Sequence, residues 1–293
     1  MKKYSFVAGL LLLAAGCSND VDMNVNSYDE YAQVSVRVND FSLLVEDFPT
    51  TRAEQSVASY TGVKALTLAF YASNGSETFK TDQLRDDAAT YTTFGEFSCN
   101  LPIGTYTMVV LGYGSETAIT LTSPTEAAFD NDRVRETFAA TQSVTVTSTT
   151  PLDLSVTLSR IMAKLNIVST DGRSASVTKI RTTYAAGGQS FNPSTGLATV
   201  NTGFSVDNNV SVAVGNVINI GNYVFLASDE QDINITIQAL NDNDDVLFTK
   251  VIADVPFKRN RVTKLSGAIF TTEPSELSIN VENSWLNEAT VNF

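Results

Sequence analysis

Enzymatic chemistry needs nucleophiles, proton carriers or metal ligands, and this chain offers few of them. It contains no histidine. That removes the commonest general base and the commonest metal ligand, and it excludes histidine-based triads and histidine-ligated zinc. Two cysteines occur, Cys17 and Cys99. Cys99 stands in the alternating run Glu96-Phe97-Ser98-Cys99-Asn100-Leu101, where a buried small hydrophobe is expected rather than a reactive thiol. Carboxylates are plentiful but scattered over turns, so no glycosidase pair follows from their spacing. There is no Gly-rich phosphate loop, no Gly-x-Ser-x-Gly and no Cys-x-x-Cys. Asn241-Asp242-Asn243-Asp244-Asp245 gathers groups that could hold calcium, but it lacks EF-hand spacing and the closing glutamate, and a solvated hairpin turn is the expected reading. The expectation is a protein that is not an enzyme, with no catalytic residue, cofactor or metal.

What the residues do offer is processing chemistry. Lys2 and Lys3 begin a leader, Phe6 to Ala15 supply its apolar run, and Ala14-Ala15-Gly16-Cys17 the small-residue cleavage region. The run is too short to span a bilayer. A cysteine directly after Ala-Ala-Gly resembles a bacterial lipobox, although Ala14 stands where that motif usually has Leu. The match implies removal of residues 1–16 and lipid on Cys17; an ordinary secretory leader is the other reading. Residues 18–30 are polar and acidic without periodicity, a tether. Arg52 is the second candidate. It lies in an exposed loop, Glu46 to Ser56, made of proline and small polar residues, the kind of segment in which proteases nick folded proteins. The formal charge of −13 argues against nucleic acid or an anionic membrane surface as partner.

The elements that must position these sites read as strands. The chain is long enough for two ordinary domains. Gln33 to Phe41 alternates, with Val34, Val36 and Val38 on one face, and predicts a first strand that is an edge or a removable one. Val63 to Tyr71, Thr90 to Leu101, Thr105 to Leu111, Gln142 to Val146 and Asp153 to Leu158 follow as strands, with Asn74-Gly75 and Pro102-Ile103-Gly104 as turns. Thr125 to Ala140 is the one stretch with plausible helical content, read as a surface helix or lid. From Arg160 a second set of strands begins, and Phe257 to Phe270, the most basic stretch, is expected to be a strand with an exposed basic face. Tyr184, Phe191 and Phe204 could serve a binding surface, with buried packing the default for each.

The last stretch, Glu276 to Phe293, places Leu277, Ile279, Val281, Trp285, Val291 and Phe293 on one face with one slip at Leu286. It is far longer than the usual strand of about 5–6 residues. Such a tail must cover its apolar face, and two arrangements do so. It can pair within its own domain, or it can be donated to a neighbouring subunit by strand addition.

The order of these features resembles the fimbrillins, the type V pilus subunits. The resemblance rests on the lipobox, the strand Gln33 to Phe41 followed by Arg52-Ala53, the strand Val63 to Tyr71, and the terminal segment with Trp285. Pro102-x-Gly104-x-Tyr106, the Leu-Ser-Arg-x-x-Ala-Lys run at Leu158 to Lys164, and Arg259-Asn260 leading to Leu265-Ser266-Gly267 also belong to it. It implies an all-β fold of two tandem transthyretin-like β-sandwich domains, spanning 31–158 and 159–275, with a C-terminal donor strand at 276–293. It further implies an outer-membrane lipoprotein anchored through Cys17, cleaved between Arg52 and Ala53 by an Arg-specific protease, and polymerised with other pilin subunits for adhesion. A pilus anchor or tip subunit, or a monomeric surface lipoprotein that binds a glycan or a host protein, is the alternative.

Overall fold

The computed structural model describes residues 30–43, 54–129, 133–272 and 277–282. Its first ten strands are β1 (Tyr31–Ser42), β2 (Glu54–Ser56), β3 (Ala65–Ala72), β4 (Glu77–Leu84), β5 (Glu96–Pro102), β6 (Gly104–Tyr113), β7 (Thr120–Ser123), β8 (Glu126–Ala128), β9 (Thr137–Val146) and β10 (Leu152–Arg160). The remainder are β11 (Ala163–Ser169), β12 (Lys179–Tyr184), β13 (Ser190–Phe191), β14 (Phe204–Asn209), β15 (Asn219–Val224), β16 (Glu230–Leu240), β17 (Val246–Lys258), β18 (Val262–Gly267) and β19 (Ser278–Glu282). Among the described residues the only helical turn is a 3-10 turn at Ala88–Thr90. The protein is all-β, of sandwich type.

Eight strands of the first half form one sheet in the order β2-β1-β10-β9-β6-β3-β4, with β5 added beside β1. β10 and β9 meet over only two residue pairs, so the sheet bends there and its two arms face each other across a core. Ala32, Val34, Val36, Val38 and Phe41 of β1 pack in that core with Leu66, Leu68 and Phe70 of β3 and Met108 and Val110 of β6. Every second residue of β1 points inward, as the strand period requires. Gln83 closes the open side. The Gly95 N–H donates to Gln83 Oε1 at 2.8 Å, and Gln83 Nε2 donates to the Glu96 carbonyl at 2.7 Å, tying β4 to the start of β5. Gly95 is left-handed, at φ 94°, and a Cβ there would meet Val57 at 2.9 Å.

Two four-stranded sheets, β15-β11-β18-β19 and β14-β12-β16-β17, face each other in the second half. Leu165, Ile167, Ile180, Tyr184, Ile235 and Leu265 fill the space between them. A third core joins the halves. Tyr71, Leu111 and Tyr113, on the outer face of β3 and β6, pack with Met162, Phe191 and Phe225, and β13 pairs with β8.

Two sequence expectations change. Thr125 to Ala140 is not a helix: it contributes β8 and the start of β9. β9 pairs with β6 along its whole length, Thr137 opposite Tyr113 through Val146 opposite Gly104, and that ladder outweighs the weak helix preference of its alanines. β1 is not an edge strand either. It runs parallel to β10 on one side and antiparallel to β5 on the other.

Candidate functional site

β1 is held by three neighbours. Val34 lies opposite Leu152 and Phe41 opposite Leu158 of β10; Ala32 lies opposite Leu101 and Val36 opposite Phe97 of β5; Ser42 lies opposite Glu54 of β2. A bulge between Val38 and Asp40 shifts the register with β10, and the Val38 N–H donates to the Gly95 carbonyl at 2.8 Å. The chain from Ser42 to Glu54 connects two adjacent antiparallel strands, and Arg52-Ala53 falls in that connection, outside the described residues. Cys17, Trp285, Val291 and Phe293 lie outside them as well, as do the leader and most of the tether.

Immediately after β2 the chain meets a buried polar joint. The Tyr60 hydroxyl donates to Glu136 Oε1 at 2.7 Å, and the Arg160 guanidinium lies 2.6 Å from the same oxygen. Arg160 also donates to the Tyr60 hydroxyl at 3.2 Å and to Asn260 Oδ1 at 3.1 Å, and it sits 5.1 Å from the centre of the Phe138 ring. Burial, with the Glu136 charge beside it, pushes the Tyr60 phenol well above its ordinary range. Asn260 adopts a left-handed backbone at φ 57°, a conformation asparagine tolerates better than most residues, and its N–H donates to the Met162 carbonyl at 2.8 Å. The Leu158 to Lys164 run and the Arg259-Asn260 pair are therefore in contact through Arg160 and Asn260. Arg85 secures the same loop from below, donating to the carbonyls of Val57, Tyr60 and Val63 with its guanidinium 4.1 Å from the centre of the Phe94 ring.

The turn at Pro102-Ile103-Gly104 also has a cause. The Tyr106 hydroxyl donates to the Pro102 carbonyl at 2.8 Å, so Pro-x-Gly-x-Tyr is a turn clamped by its own tyrosine. Cys99 faces inward from β5 and is buried; burial pushes its thiol up to about 11, which keeps it a packing residue.

The described part of the terminal segment forms β19, antiparallel to β18, with Leu265 opposite Ile279 and Thr263 opposite Val281. β19 stands at the end of its sheet. Leu277 packs on the second core, Val281 is half-buried, and Ile279 is 40% exposed. This stretch is thus paired within its own chain.

Other candidates resolve into structure. Tyr184 and Phe191 are buried, and Phe204, half-buried, stacks on Tyr184 at 4.9 Å. The basic stretch is not an exposed face: Lys258 pairs with Glu230 at 2.7 Å, Arg259 with Asp229 at 2.8 Å, and Arg261 is buried. At the β16–β17 turn the Asn241 side chain accepts from the Asn243 and Asp245 N–H groups, and Asp244 pairs with Lys179. Among the described residues no group of three or more Asp, Glu or Cys is placed to hold a metal. Sequence reasoning missed Gln83, Arg85 and Glu136. Each is a polar residue whose partner lies far along the chain or is a backbone atom, and neither leaves a trace in periodicity.

Comparison with known proteins follows the fold. No curated protein matches the sequence. Among solved structures, a candidate polysaccharide-binding protein (DUF1812) of Bacteroides thetaiotaomicron superposes with a TM-score of 0.51 at 11% identity, covering 86% of this chain and 96% of that one. It shares the architecture. The fimbrial anchor protein Mfa2 of Porphyromonas gingivalis gives 0.49 at 13% identity over 87% and 98% of the two chains, and a candidate adhesin of Bacteroides ovatus gives 0.49 at 13% over 82% and 88%. Residues 115–293 match the pattern of a family of unknown function, DUF6562, so the chain belongs to that family.

Proposed function

We propose that this protein is a subunit of a cell-surface adhesive pilus. It is exported as a lipoprotein through Cys17, cut between Arg52 and Ala53 by an Arg-specific protease, and joined to other subunits by strand exchange. The observation that carries the reading is the seating of β1. It puts Val34, Val36, Val38 and Phe41 into the first core, flanked on both sides, and its C-terminal link to the body runs through the connection that contains Arg52. Burying those side chains together with Leu43 contributes on the order of 10 kcal/mol, as much as a whole domain's net stability of about 5–15 kcal/mol. A chain that lost β1 would hold an open, apolar trough that only another alternating strand could fill.

The terminal segment has the pattern to fill it. β19 is already paired with β18, so donation runs from the residues beyond Glu282, with Trp285, Val291 and Phe293 entering the trough. Leu277, Ile279 and Val281 form the root that keeps the donor attached to its own body. The joint formed by Arg85, Tyr60, Glu136 and Arg160 supports this division. Its hydrogen bonds to the Val57 carbonyl and the Tyr60 hydroxyl come from outside β1, so a cut at Arg52 that frees β1 leaves the chain from Val57 onward held, while β2 loses its strand partner and Tyr60 the ring of Phe41.

The test is limited digestion of the intact chain with an Arg-specific protease, read by intact mass and by gel without boiling. The expected result is a product beginning at Ala53 that accumulates and runs as a ladder. Resistance at Arg52, or a clean cut with no ladder, overturns the polymerising reading.

A further inference from the structure

The outward face of β1 is as ordered as its inward face. A groove of about 990 Å3 is floored by the row Gln33, Ser35, Arg37 and Asn39. The register sets Ser35 between Ser98 of β5 and Asp153 of β10, and Arg37 between Glu96 and Ser155. Gln33 Nε2 donates to Ser98 Oγ at 3.3 Å and Arg37 lies 3.0 Å from Glu96, so the floor is crosslinked before any ligand arrives. The segment Thr90 to Thr93 and the strand β4, through Phe79 and Thr81, form the walls. Tyr91 is fixed there: its hydroxyl donates to the Arg85 carbonyl at 2.8 Å, and its ring lies 5.6 Å from that of Phe94.

This composition selects among ligands. β1 is hydrogen-bonded on both sides, so its own backbone is closed to strand addition, and a peptide could extend only β4 or β5 at the margin of the groove, not its centre. Asp82, Glu96 and Asp153 outnumber Arg37 along the lining, which repels phosphates and sulfates. What remains is a dense set of amides, hydroxyls and carboxylates that both donate and accept, mounted on strands, with aromatic rings at the wall. The volume lies at the top of the range of about 300–1,000 Å3 for ligand sites. We propose that this groove binds a neutral oligosaccharide of several rings. The proposal goes beyond the assembly reading and does not need cleavage, because the groove belongs to the uncut chain; loss of β1 would take its floor away.

The experiment is affinity electrophoresis of the intact chain, uncut at Arg52, through gels containing dextran, mannan, laminarin, galactan or heparin. The expected result is retardation by at least one neutral polysaccharide and none by heparin. Ser35→Trp, which fills the floor, and the milder pair Asn39→Ala with Asp153→Ala should each weaken that retardation by about tenfold or more, with unchanged melting in the milder pair. No retardation by any of the four neutral polymers, retardation by heparin alone, or full retardation in the milder pair overturns the proposal. The digestion experiment reads a different event, so either result stands without the other.

Discussion

Arg160 shows how much a single buried charge can organise. It satisfies Glu136, Tyr60 and Asn260 at once, and its side chain is 1% exposed. Arg160→Met should therefore cost about 3–5 kcal/mol, because Glu136 would be left buried without its counter-charge. Urea unfolding checks the loss, and adding Glu136→Leu should restore part of it, since a buried pair replaced by apolar groups is often neutral. Tyrosine burial makes a second prediction, about pH. Tyr113 is pushed up to about 12 by burial. Its contribution is fully present below the ordinary phenol value of about 10 and is lost as pH rises through its folded value. Alkaline unfolding should thus set in between those limits, with native tyrosinate absorbance lagging behind that of the urea-unfolded chain. Tyr113→Phe should shift the alkaline midpoint upward, and an unmoved midpoint would contradict the assignment.

At the scale of elements, the clasp between β4 and β5 matters most. Gln83→Ala would strand the buried Gly95 N–H and free the Glu96 carbonyl, for a loss of about 1–3 kcal/mol, and hydrogen exchange at Gly95 should accelerate before exchange in β6 does. Uniform acceleration would mean that the clasp only adds global stability. The strands that sequence reasoning found are those whose surroundings impose a period: β1 alternates because one face is buried, and β3 and β6 are continuous because both faces are covered, inward by the first core and outward by the third. The first half of β9 was hidden by Ala139-Ala140 and the charged run ahead of it, where pairing with β6 decides and local preference does not, while its second half, Gln142 to Val146, was legible as a strand. The resemblance marked Arg160 and Asn260 separately. Nothing local could say that they touch, since the contact spans 100 positions. The exit of β19 from β18 was equally invisible, because alternation reports a buried face and not whose sheet buries it.

For the whole molecule, the assembly reading makes a prediction that separates stability from joining. Trp285→Ala should abolish the ladder that follows cleavage and leave monomer melting nearly unchanged; a large loss of monomer stability would place that residue in its own body instead. The parallel pairing of β1 with β10 carries one more consequence, for biogenesis. Val34 finds Leu152, and Phe41 finds Leu158: the strand that leaves the ribosome first waits for one of the last strands of its own sheet. Contacts so distant along the chain are slow to form, so the first core closes only after β10 has emerged. A chain truncated ahead of Leu152 should therefore stay protease-sensitive throughout its first half, however long it is given to fold.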